Sequence, residues 1–80
     1  MTQTRQPIEI VFDYVRDANG RDLAAGDIIR YSDRTTLFMI VDSTSDLNWM
    51  ETRAITGDKI GRAFYFRADD TYAVYRPVEA

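Results

Sequence analysis

The sequence predicts an all-β fold, a small barrel of five or six short antiparallel strands. Three observations lead there. Apolar and polar positions alternate with a period of two, in β-branched and aromatic residue types, at several places along the chain. These stretches recur at roughly ten-residue spacing and are separated by Gly- and Asp-containing turns. The length of 80 residues, 45% of them hydrophobic, matches a single core and a single domain over 1–80.

Met1–Gln6 is polar and aperiodic and ends at Pro7, which predicts a disordered tail over residues 1–6. From Ile8 to Val15, the residues Ile8, Ile10, Phe12 and Tyr14 alternate with Glu9, Val11, Asp13 and Val15, the pattern of a strand. Asp17-Ala18-Asn19-Gly20 then reads as a turn, since Asn and Gly tolerate positive φ. Leu23–Asp27 is a tight connection in which Gly26 supplies backbone freedom. Ile28–Tyr31 is a short strand, and Ser32–Thr35 is polar and turn-like. Leu37–Val41 is five apolar residues without interruption, which predicts a strand buried on both faces. Ser43–Asp46 reads as a loop.

Leu47–Thr56 admits two readings. A short helix near residues 46–54 would use Asp46 as N-cap and place Leu47, Met50 and Ala54 on one face. A strand would set Trp49, Glu51, Arg53 and Ile55 opposite Met50, Thr52, Ala54 and Thr56. The strand is the better reading, because Thr52, Ile55 and Thr56 crowd a helix interior and Thr56-Gly57-Asp58-Lys59 suits a hairpin turn. Ala63–Arg67 is a strand with Phe64 and Phe66 on one face, and Ala68-Asp69-Asp70 turns the chain. In Thr71–Arg76, Tyr72 and Val74 alternate with Ala73 and Tyr75. Pro77 ends that strand and opens a second disordered tail over 77–80, since proline cannot donate to a ladder.

The run Val15–Arg30 resembles a D-x-x-G-x-x-L-x-x-G-D-x-V pattern, met here by Asp17, Gly20, Leu23, Gly26, Asp27 and Ile29. That pattern looks like the opening of small SH3-like barrel domains in bacterial and phage proteins. The likeness implies an SH3-like barrel and, with it, a protein-binding, nucleic-acid-binding or assembly module. Because it encodes turn geometry, it transfers no functional residue.

Composition narrows the chemistry. Lys+Arg 10 against Asp+Glu 13 gives a net charge of -3, a field that repels a phosphate backbone. Without Cys or His the chain lacks disulfides, thiolate nucleophiles, the usual ligands of transition metals and the neutral-pH proton shuttle. Asp17–Asp22 does not make a calcium loop, since Gly20 falls at the fourth position where the sixth is needed. Gly57–Gly61 lacks the spacing and the Lys-Ser/Thr pair of a phosphate loop, so it reads as a hairpin. Asp69-Asp70 is the only adjacent carboxylate pair, and both are expected in a wet turn with nothing to perturb their pKa. The one lysine, Lys59, sits in a turn where it activates no hydroxyl. The expectation is a non-catalytic domain with no metal and no cofactor. No run approaches the ~20 apolar residues of a membrane span, and with no leader-like block the chain reads as cytoplasmic.

The aromatics carry the functional expectation. Phe12, Phe38, Phe64 and Phe66 suit the core, whereas Trp49, Tyr14, Tyr31, Tyr65, Tyr72 and Tyr75 exceed what one small barrel holds, at about 150 Å² or more per buried ring. Several have an arginine close by: Tyr31 follows Arg30, Tyr65 lies two before Arg67, Tyr75 precedes Arg76, and Trp49 shares a strand face with Arg53. Aromatic and arginine residues dominate interface hot spots, so Tyr31, Trp49, Arg53, Tyr65, Arg67 and Tyr75 are the candidate docking residues. The expected partner is another protein or a second copy of the chain, the latter to cover Leu37–Val41. Two alternatives stand beside it. One is single-stranded nucleic acid stacked on Trp49, Tyr65 and Tyr75 with arginines on phosphate. The other is an acidic inhibitor of a basic protein, since residues 1–51 hold nine acids and five bases, with Asp17, Asp22 and Asp27 about one connection.

Overall fold

The alternation in sequence reappears as alternation in burial over residues 49–54, 63–67 and 71–75, but not over 13–17, which are all exposed. A computed structural model of the chain describes residues 11–31, 35–44 and 48–78. Six strands form one antiparallel sheet: β1 (Phe12–Asn19), β2 (Ile28–Arg30), β3 (Phe38–Thr44), β4 (Trp49–Ala54), β5 (Ala63–Arg67) and β6 (Thr71–Pro77). Their order is β1-β6-β2-β3-β4-β5. Strands β2 to β5 meander as expected, but β6 returns to lie between β1 and β2, so the topology is not a simple meander. Ala18 of β1 and Phe66 of β5 pack on the same inner cluster, which includes Leu23, Ile29, Phe38, Ile40, Met50, Tyr72 and Val74. The sheet therefore curls around one core, leaving β1 and β5 as its two edges.

Strand β3 is two-faced, and the chain itself covers both faces. Phe38 and Ile40 point into the inner cluster. Met39, and Leu37 just before the strand, join a second cluster with Ile28, Phe12, Ile55 and Tyr75. Leu37 is fully buried by the chain's own residues. Val41 departs from the expected pattern. The register shifts between Ile40 and Asp42, and the extra residue of that bulge turns out to solvent. Ser43 and Thr44, expected in a loop, continue the strand.

Burial along β4 alternates strictly, with Met50, Thr52 and Ala54 inside, which settles the strand reading and removes the helix over 49–54. Thr52 tolerates the interior because its hydroxyl donates to the Phe64 carbonyl at 2.8 Å. The first strand begins at Phe12 and runs on to Asn19, through the expected Asn-Gly turn. Asn19 has φ -72 and accepts the Arg21 N–H with its side chain, capping a single 3-10 turn at Gly20–Asp22 rather than reversing a hairpin. Gly26 does take positive φ (99°), and its N–H donates to the Ile40 carbonyl at 2.7 Å, tying the connection to β3.

Pro77 is the last residue of β6, and Val78 donates to the Val11 carbonyl, so order extends into the expected tail. The expectations for residues 1–6, for the strand residues 8–10, for the turn at 32–34 and for residues 45–47 lie outside the described residues.

Candidate functional site

The site grows from the outward face of β4 and β5 and the corner that follows. Cross-strand register places Trp49 directly opposite Arg67, and Glu51 opposite Tyr65. Outward positions of β5 are exposed, Tyr65 at 61%, while Phe64 and Phe66 turn inward. The Arg67 guanidinium lies 5.7 Å from the Trp49 ring centre and makes two bonds of 3.0 Å to the Asp69 carboxylate.

The corner from β5 to β6 is held at three points. Ala68 donates to the Asn48 carbonyl at 2.8 Å, Gly20 donates to the Asp70 carbonyl at 2.9 Å, and the Tyr72 hydroxyl donates to the Arg67 carbonyl at 2.6 Å. Glycine is required at position 20, since a Cβ there would sit 2.7 Å from the Ala68 carbonyl oxygen. Above this corner opens a cleft of about 170 Å³. Its floor is Tyr31, Phe66 and Tyr72, whose rings lie 5.5 to 6.0 Å apart. Trp49, Tyr65, Arg67 and Asp70 complete the lining.

Two titrations follow from this geometry. The hydrogen bond from Arg67 holds the Asp69 carboxyl below the usual carboxylate range, against the expectation that nothing perturbs it. Burial, followed by the negative charge of Asp70, pushes the Tyr72 hydroxyl up. The cleft offers ring faces, hydroxyls and one carboxylate, groups able to hold a ligand by stacking, hydrogen bonding and charge.

Of the six candidate docking residues, Tyr31, Trp49, Tyr65 and Arg67 meet at this cleft, and Arg53 and Tyr75 do not. Arg53 shares Trp49's strand face but donates to the Gly61 carbonyl at 3.0 Å, bracing the β4–β5 loop. Tyr75 lies on β6 beside β1 and β2, edge-on to Tyr14 at 6.0 Å, with Arg30 over its ring at 5.4 Å. No family model, no curated protein and no solved structure matches the chain.

Sequence reasoning missed Phe66, Asp70 and Tyr72 as lining residues. The signal available was the alternation placing Phe66 and Tyr72 on inner faces. What it lacked was the corner that brings inner and outer faces together. Asp27, grouped with Asp17 and Asp22 as a possible acidic face, instead accepts the Ala24 N–H at 2.8 Å and braces its own turn. Among the described residues, no three carboxylates gather as a metal group, and no helix is long and apolar enough to cross a membrane.

Proposed function

We propose that this chain is a non-catalytic, cytoplasmic protein-binding module of the SH3-like type met in bacterial and phage proteins, and that it docks an extended segment of its partner along β5. One observation carries this: the cleft with its five aromatic rings sits at a sheet edge that no described strand covers.

Ladder alternation supports the direction of that edge. The Ala54 N–H donates to the Arg62 carbonyl and the Ala68 N–H to the Asn48 carbonyl, so even-numbered residues of this stretch face β4. Ala63, Tyr65 and Arg67 then point their backbone groups away from β4. Consistent with this, the Arg67 carbonyl is reached by the Tyr72 hydroxyl from the far side. An extended peptide could pair with Ala63 and Tyr65 while its side chains enter the cleft, the strand-addition mode of recognition. The cysteine-free composition fits a reducing compartment.

The other readings find less support. Nucleic-acid stacking called for Trp49, Tyr65 and Tyr75 on one platform, whereas Tyr75 lies on β6 with Tyr14 and Arg30, and Arg67 is already engaged by Asp69. Self-assembly through Leu37–Val41 loses its motive, because the chain buries Leu37, Phe38 and Ile40 itself.

A random linear-peptide display library selected on the wild-type chain and on a Trp49→Ala/Tyr65→Ala variant tests the reading. Both side chains are exposed, so the variant keeps its core. Enrichment of a consensus on wild type and its loss on the variant is the expected result. Equal enrichment on both, or none on either, overturns the proposal.

A further inference from the structure

Resting on that docking reading, we infer that the cleft selects a basic side chain, so that the partner segment presents an arginine or lysine to the rings of Tyr31 and Tyr65 and to the carboxylate of Asp70.

The argument is one of charge and π-electron density. Aromatic faces carry a negative quadrupole and attract cations, most strongly where water is partly displaced. The lining has two charged side chains, Arg67 and Asp70. Arg67 is already paired: its Nε and Nη2 are bonded to Asp69, and its guanidinium lies over Trp49. Its neighbour Arg21 donates to the side-chain oxygen of Asn48. Asp70 has no cation partner among the described residues, and its Oδ1 accepts only the Thr71 N–H at 2.8 Å. A carboxylate left in this state beside the exposed Tyr65 ring and the half-buried Tyr31 ring is a counter-ion and a stacking surface without a guest. The chain's net charge of -3 favours the approach of a basic segment. An acidic segment would meet Asp70 with no free cation in the lining to answer it.

Strand addition fixes where the basic residue would enter. A peptide paired with Ala63 and Tyr65 alternates its side chains between the two faces of the sheet, and alternate positions lie beside the cleft. One basic residue at such a position, flanked by β-branched residues, is the motif expected.

Trp49 is the only tryptophan and stands on the cleft wall, so its emission reports occupancy directly. The probes are blocked five-residue peptides, Val-Thr-Xaa-Thr-Val, with Arg, Lys, Gln or Glu at the centre, and a thymidine oligonucleotide. The Arg and Lys peptides are expected to shift Trp49 emission and to bind at least tenfold more tightly than the Gln and Glu peptides. Asp70→Asn keeps an acceptor for the Thr71 N–H, and it is expected to cut the Arg-peptide affinity about tenfold while leaving the Gln peptide unchanged. Tyr65→Ala should weaken both basic peptides. Equal binding of the Gln peptide, tighter binding of the Glu peptide, no response to the basic peptides, or indifference to Asp70→Asn overturns the inference. Preference for the oligonucleotide, weakening with salt, overturns it in favour of nucleic acid. A display consensus that depends on Trp49 and Tyr65 but lacks a basic residue sinks the cation inference and leaves the docking function standing.

Discussion

The two edges of the sheet differ in how they meet solvent. Strand β1 is bulged between Tyr14 and Arg16, and its exposed positions include Asp13, Arg16 and Asp17. A bulge and interspersed charge are the means by which edges resist pairing with other chains. Strand β5 has neither bulge nor proline nor lysine, and its register with β4 is unbroken over five residues. The aromatic clusters follow the same division. Beside β1, Tyr14 is tied through its hydroxyl to Asp17 at 3.0 Å, and the Tyr75 ring is covered by Arg30, whose Nε is buried without a hydrogen-bond partner among the described residues. Beside β5, the rings surround open space. Both sides thus have an arginine lying over a ring, Arg30 on Tyr75 and Arg67 on Trp49. What distinguishes the β5 side is an open strand edge whose Arg67 is paired with Asp69, beside the exposed Trp49 and Tyr65 rings and the Asp70 carboxylate.

The largest expected effect breaks both edges together. Phe38 sits edge-to-face with Phe64 at 5.1 Å and Phe66 at 4.8 Å, beneath β5, and belongs to the core that β1 shares. Phe38→Ala is expected to cost about 3–5 kcal/mol, comparable to the whole margin of a domain this small, and urea titration followed by circular dichroism would find it largely unfolded. A loss confined to the β5 side would show instead that the two edges have separate cores.

Tyr72→Phe should act on the β5 side alone. It leaves the Arg67 carbonyl without its donor, at a cost of about 1–3 kcal/mol. The native tyrosine is raised in pKa, so its contribution is complete below the free tyrosine value of about 10 and is lost as pH climbs through the raised value. The variant should lack that part of the alkaline fall in stability.

Tyr75→Ala and Tyr65→Ala should separate the edges cleanly. The half-buried Tyr75 packs on the outer cluster, and its loss is expected to cost about 1–2 kcal/mol while leaving cleft binding intact. The exposed Tyr65 should change stability by no more than about 0.5 kcal/mol and weaken peptide binding. Amide exchange sharpens the picture further: the N–H groups of Phe64 and Phe66 should be protected, and those of Ala63 and Tyr65 should exchange faster. The smallest effect is at Asp69. Its carboxyl is held low, so the pair with Arg67 contributes above the ordinary carboxylate range and is lost as pH falls through the lowered value. Asp69→Asn should flatten that shallow acid limb of the thermal-stability profile.

Much of the fold was legible because period-two alternation reports a strand whose two faces meet different media. Met50, Thr52 and Ala54 against Trp49, Glu51 and Arg53 is such a case, and Phe64 and Phe66 in β5 another. Asn19-Gly20 misled, because its turn propensity is local and the pairing of β1 with β6 continues through Asn19 opposite Thr71. Tyr72 misled in another way. The ring count sets it among rings in excess of the core, yet it is one of the largest fully buried side chains, its hydroxyl donating to the Arg67 carbonyl across the β5–β6 corner.

By itself the sequence determined strand content, which faces turn inward, the need for a left-handed residue at Gly26, and a set of rings too large for one interior. These are local properties, set by the side-chain alternation of an extended backbone and by φ preference. Only the tertiary structure decided that β6 lies between β1 and β2, that the outward face of β3 is covered by Phe12, Ile55 and Tyr75, and that Tyr31, Trp49, Tyr65 and Tyr72 converge while Tyr75 stands apart. Which strands become neighbours depends on how the curled sheet buries its apolar faces as a whole, and no short window of sequence encodes that.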